Sequence, residues 1–114
     1  INSIWTDSSD ELWVLTYWGV YRVNTQDVND FERFNFTSLY SGNSAHTLRG
    51  NAWNDIYFTG STGDIWHFNG NTFYLISSVE STNYSSLNVS GNTISCVGEN
   101  WANARGSVII MNAQ

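Results

Sequence analysis

Three stretches of this 114-residue chain can be laid over one another, and that repetition restricts the folds open to it more than any other feature. The first runs Glu11-Leu12-Trp13-Val14-Leu15-Thr16, then Gly19-Val20-Tyr21-Arg22-Val23-Asn24. The second runs Asp55-Ile56-Tyr57-Phe58-Thr59-Gly60, then Gly63-Asp64-Ile65-Trp66-His67-Phe68-Asn69. The third runs Thr93-Ile94-Ser95-Cys96-Val97-Gly98, then Gly106-Ser107-Val108-Ile109-Ile110-Met111-Asn112. Column by column the residues match in kind: Leu12, Ile56 and Ile94; Val14, Phe58 and Cys96; Val20, Ile65 and Val108; Val23, Phe68 and Met111. Each row closes on Asn24, Asn69 or Asn112.

Each unit reads as strands. β-Branched and aromatic residues fill runs of about five to six residues bounded by Gly, Asn, Asp and Ser, and no stretch keeps a 3.6-residue apolar period. Asn69-Gly70 signals a two-residue type I′ hairpin, because both central positions of that turn need positive φ. Short apolar strands precede the aligned pairs at Ser3-Ile4-Trp5, Thr47-Leu48-Arg49 and Ser86-Leu87-Asn88-Val89. Further strands follow the first two pairs, at Phe31 to Phe36 and Thr72 to Ser77. Four-stranded antiparallel units at this period are the pattern of β-propeller blades. Leu12-Trp13-Val14-Leu15 is apolar on both faces, as a sheet stacked between two others must be. An immunoglobulin-like sandwich, the other all-β option, gives alternating strands and no reason for a repeat.

The expected architecture is therefore an all-β propeller fragment of about three blades: 1–37, 45–78 and an incomplete third, 84–114, without its outer strand. The segment from Asp55 to Phe73 resembles blades of bacterial surface and sensor propellers, of the photosystem II stability factor type and of the periplasmic sensor halves of two-component regulators. That resemblance implies a fold and no activity. The Asp-box of glycan hydrolases is not met, and the GH…WD and double-glycine kelch signatures are missing. Closed propellers have about four to eight blades, so three need the remaining blades of a longer chain, or further copies in a homo-oligomer, to close the ring.

Composition removes several functions. Ten acidic residues against four arginines and no lysine give a net charge of −6, which leaves no basic stripe for nucleic acid. No window approaches the roughly 18 apolar residues of a membrane span, and the first residues lack the basic start and apolar run of a signal peptide. The single cysteine excludes an internal disulfide and a multi-cysteine zinc site. Asn, Ser and Thr replace much of the usual charge, which favours a secreted, periplasmic or cell-surface setting.

Few residues carry chemistry by pattern. Cys96 stands in the column of Val14 and Phe58 and reads as a small buried hydrophobe. His67 shares a column with Arg22 and Ile110 and reads as a surface or blade-packing residue; His46 has no second ligand at metal spacing. Asp7, Asp10 and Glu11 resemble a calcium loop only faintly, and Asp27, Asp30 and Glu32 read as solvating charges on a long connection between the third and fourth strands. No metal and no cofactor is expected, and no catalytic residue is assigned. Trp13, Tyr21, Tyr57 and Trp66 are expected to pack between blades. The ligand-binding candidates are loop residues at one channel mouth: Tyr17 and Trp18 after the second strand of the first blade, and Glu99, Trp101 and Arg105 in the corresponding loop of the third, read as spanning Glu99 to Arg105. Trp53 belongs to the opposite end. Asn35, Asn83 and Asn88 head glycosylation sequons.

The leading expectation is a non-enzymatic binding or scaffold module that presents loops to a protein, peptide or glycan. The competing ones are part of a propeller glycan hydrolase or lyase, in which Glu99 needs a second carboxylate about 5 to 5.5 Å away if the enzyme retains configuration, and blades of purely structural role.

Overall fold

A computed structural model describes residues 3–6, 10–16, 19–34, 45–60 and 63–112, with no side-chain description at Ala45, His46 and Gly60. Among the described residues eleven strands follow in chain order: β1 (Ser3–Trp5), β2 (Glu11–Thr16), β3 (Gly19–Asn24), β4 (Asp27–Phe34), β5 (Ala45–Ala52), β6 (Asp55–Gly60), β7 (Asp64–Phe68), β8 (Phe73–Ser78), β9 (Thr82–Ser90), β10 (Thr93–Asn100) and β11 (Arg105–Asn112). They form three antiparallel meanders, β1-β2-β3-β4, β5-β6-β7-β8 and β9-β10-β11. These are consecutive propeller blades, with β1, β5 and β9 as the inner strands. Among the described residues no helix is long and apolar enough to cross a membrane.

The repeat columns become intelligible once the faces are assigned. Side chains alternate across a strand, so each column belongs to one face of its blade. Ile56, Phe58, Trp66 and Phe68 of the second blade join Trp13, Leu15 and Val20 of the first in one buried cluster. Tyr57 and Ile65, on the other face of the second blade, join Tyr84, Leu87, Ile94 and Cys96 of the third in another. The columns of Leu12 and Val14 therefore face the preceding blade, and those of Trp13, Leu15 and Val20 face the next. The middle blade is buried on both sides, which is why β6 and β7 carry apolar residues on both faces: Ile56, Phe58 and Trp66 on one, Tyr57 and Ile65 on the other. Each fully buried side chain of this size contributes roughly 1.5–3 kcal/mol. Phe68 sits at the aromatic centre of the first junction, with ring centroids 5.5 Å from Trp13, 5.1 Å from Phe34 and 4.6 Å from Phe73.

Polar contacts stitch the inner strands. Leu48 N–H donates to Ser3 Oγ across the first junction (3.1 Å), and Thr47 Oγ1 donates to the Ser85 carbonyl across the second (3.1 Å).

Several local expectations are corrected. Asp27, Asp30 and Glu32 lie within β4, because the connection before it is only Thr25 and Gln26. Asn24 Oδ1 accepts the Gln26 N–H at 2.8 Å and closes the turn at once. The Asn69-Gly70 turn is a four-residue connection rather than a two-residue one, since Phe68 pairs directly with Phe73. Gly70 supplies the left-handed position (φ +95), and Asn69 Oδ1 accepts both the Asn71 and Thr72 N–H groups at 2.9 Å. A side-chain acceptor thus does the work that positive φ at both residues was expected to do. Tyr21 does not pack between the described blades. It lies on the outward face of the first, its ring 6.0 Å from that of the exposed Phe31. Trp13, Tyr57 and Trp66 are interblade residues as expected, and Cys96 is fully buried.

Candidate functional site

Of the five loop candidates, Tyr17 and Trp18 lie outside the described residues. Glu99, Trp101 and Arg105 fall together on the β10–β11 hairpin, but not all in a loop. The strands run further than the sequence suggested, pairing Glu99 with Gly106 and Asn100 with Arg105, and only residues 101–104 turn. Asn100 Oδ1 accepts the Ala102 N–H at 3.0 Å and caps this turn as Asn24 and Asn69 cap theirs. The Trp101 N–H donates to the Ser81 carbonyl (2.9 Å), tying the hairpin tip to the β8–β9 connection. Ser81 and Ala104, at φ 60 and 56, are the non-glycine residues in the left-handed region among those described. Each such residue costs on the order of 1 kcal/mol and persists only where its surroundings hold it. The result is a rigid tip from which Trp101 projects with 68 % of its surface exposed. Its indole is not folded back on its own blade.

Trp53 occupies the β5–β6 turn at the other end, about half exposed and lying over Gly70, where a Cβ would meet its ring at 3.0 Å. His46 falls in β5, outside the described side chains. Asn88 is exposed on an inner strand, Asn83 is half-buried in β9, and Asn35 is outside the described residues.

The structure also assembles a polar site that sequence reasoning passed over. His67 and Asp55 face a groove of about 430 Å³ between the second and third blades, walled by Tyr57, Tyr74, Ile76 and Met111. His67 Nε2 lies 2.7 Å from Asp55 Oδ1, its Nδ1 meets the Tyr74 hydroxyl, and its ring stacks on Tyr57 at 4.2 Å between centroids. Asn51 Nδ2 donates to Asp55 Oδ2 (2.7 Å) and to the Gly91 carbonyl (2.7 Å), while its Oδ1 accepts the Gly91 N–H (3.1 Å). A hydrogen-bond chain therefore runs from Tyr74 through His67, Asp55 and Asn51 into the third blade. Burial alone would raise the Asp55 pKa, but donors on Asn51, His67 and Tyr57 outweigh it and hold the carboxyl below its ordinary value. Burial and the Asp55 carboxylate together push the Tyr57 phenol well above its usual range. The groups satisfy one another, and the hydrogen-bond chain ties the second blade to the third.

The first blade has a counterpart. Glu11 and Arg22 occupy the columns of Asp55 and His67 and line a groove of about 490 Å³ with Asn24, Asp30 and Glu32. Arg22 pairs with Glu32 and lies 5.7 Å from the Trp13 ring centre. An acid and a base recurring at matched columns was the signal that points to these grooves. Among the described residues no group of three or more His, Cys, Asp or Glu side chains is placed to hold a metal ion.

No protein-family model matches the sequence, and neither does any curated protein. Two solved structures share the architecture. One is of a S. cerevisiae complex of Dbp5 with Nup159, Gle1, IP6 and ADP (12 % identity, TM-score 0.59), the other of the N-terminal domain of Nup159 (13 % identity, TM-score 0.58). Both likenesses cover 96 % of this chain, which spans about 30 % of the length of either neighbour. At that identity they establish the fold: these are blades of a β-propeller.

Proposed function

We propose that this chain is a non-enzymatic binding module, its stacked blades a scaffold that presents the β10–β11 tip to a protein or peptide. The observation that carries the reading is Trp101: a large aromatic ring held in solvent on a braced hairpin, beside Glu99 and Arg105. Aromatic side chains held rigidly lose little entropy on binding and dominate interface energies. That a propeller of the same architecture occurs in an assembly of Dbp5, Nup159 and Gle1 favours a protein partner over a glycan. The bacterial surface and sensor propellers that the second repeat resembles, and the lysine-poor, Asn/Ser/Thr-rich composition, favour a secreted, periplasmic or cell-surface setting.

The test is a screen of the chain against a peptide array and a glycan array, followed by titration of the retained ligands with wild type, Trp101→Phe and Trp101→Ala. Peptide binding kept by the Phe variant and lost by the Ala variant, with unchanged thermal unfolding, is the expected result. Binding indifferent to Trp101→Ala, or no ligand on either array, would reduce the blades to architecture. Capture of glycans alone would replace the partner class.

A further inference from the structure

The two junctions inside the molecule follow one rule: the next-facing columns of one blade are covered by the preceding-facing columns of its successor. The same rule describes the two faces left open. On the third blade, Val97, Val108 and Ile110 stand in next-facing columns, and they are 45 %, 68 % and 70 % exposed. Val108 is the repeat equivalent of Val20 and Ile65, both fully buried. On the first blade, Ile4, Leu12, Val14, Tyr21 and Val23 stand in the preceding-facing columns. Their equivalents Leu48, Ile56, Phe58, Trp66 and Phe68 cover the first junction. The chain thus carries both halves of a third junction, on faces that cannot reach each other within one molecule.

Charge agrees with this pairing. Arg33 lies over the Tyr21 ring on the open face of the first blade (6.0 Å). Glu99, exposed, falls on the open face of the third by alternation along β10. Both stand toward the same end of their sheets, the end of the β2–β3 and β10–β11 connections. Apolar faces of this kind on a soluble chain mark association surfaces.

We propose that the open face of the third blade docks on the open face of the first blade of a second copy, head to tail. Two such contacts close two copies into a six-bladed ring, within the blade numbers that propellers adopt. The contact continues the interblade junctions already present and needs no new packing mode.

Sedimentation and light scattering of the 114-residue chain test it. The expected species has twice the 12.9 kDa chain mass. Ile110→Asp and Ile4→Asp, at exposed positions, should each give a monomer with an unchanged far-ultraviolet spectrum, and Ile110→Thr and Ile4→Thr should weaken the dimer while keeping strand propensity. Mixed, the two Asp variants keep one contact intact and bring both carboxylates into the other, so they should associate one to one, more weakly than wild type and more strongly than either variant alone. A wild-type chain that stays monomeric and unfolds cooperatively overturns the proposal. So does dissociation by only one of the two substitutions, or a mixture that associates no more strongly than either variant alone, which would mean like faces meet or the contact is unspecific.

Discussion

The blade assignment makes a like-for-like prediction at one repeat column. Val20 and Val108 hold the same position in the first and third units, yet Val20 is fully buried between blades and Val108 is 68 % exposed. Val20→Ala removes two methyl groups from the first junction, worth about 1.6 kcal/mol in transfer. The space left among Trp13, Phe58 and their neighbours adds about 1 kcal/mol more, and lost strand propensity adds up to about 1 kcal/mol. Val108→Ala forfeits only the propensity term. The buried substitution should therefore cost about 2.5–3.5 kcal/mol and the exposed one no more than about 1 kcal/mol. At about 4 °C per kcal/mol for a domain of this size, the Tm should fall by about 10–14 °C against 4 °C or less. Both are measured by urea and thermal unfolding in an Ile4→Asp background, where neither open face is covered and concentration does not enter. Ile4 lies on the face of the first blade opposite Val20, so coupling between the substitutions is small. Equal losses at the two positions would refute the face assignment, and with it the reading of the columns.

Three further outcomes follow from local chemistry. Asp55 is held below its ordinary value of 3.8, so the unfolded chain binds the extra proton. The stability it confers is complete above that value and is lost as pH falls through the lower folded value; the gap between wild type and Asp55→Asn in urea midpoints should close under acid conditions, and a gap independent of pH would contradict the hydrogen-bond chain. Burial pushes the Cys96 thiol up to about 11, so a thiol reagent at neutral pH should modify it only at the rate of unfolding, and rapid labelling of the native chain would be the contrary result. Asn69→Ala leaves two turn N–H groups without their acceptor and should cost about 1–2 kcal/mol in chemical denaturation; a neutral effect would show that water replaces Oδ1 at no cost.

Much of the fold was legible because the information is local. An apolar column repeated at near-constant spacing reports which residues share a face, and alternation along a strand is set by backbone geometry alone. That is enough to place Ile56, Phe58 and Cys96 inside. It also identifies Asn24 and Asn69 as row ends, although their role emerged only from the turn: the side-chain oxygen reaches the second or third N–H onward and shortens the connection. The length of β4 was missed for that reason. Asp27, Asp30 and Glu32 look like loop residues because their side chains are polar, yet strand pairing is made by the backbone and tolerates polar side chains at an exposed outer strand.

The groove chemistry was beyond the sequence. His67 and Asp55 are 12 residues apart, and their meeting depends on pairing of β6 with β7. Asn51 and Gly91 are 40 residues apart and meet only because successive blades stack. Likewise the sequence marks Trp101 as lying between strands, but its outward course is decided by the hydrogen bond to Ser81 and by two left-handed residues. Periodicity is a property of neighbours along the chain and can be read without coordinates. Contacts between sheets are fixed by how those sheets are stacked, and only the folded molecule states that.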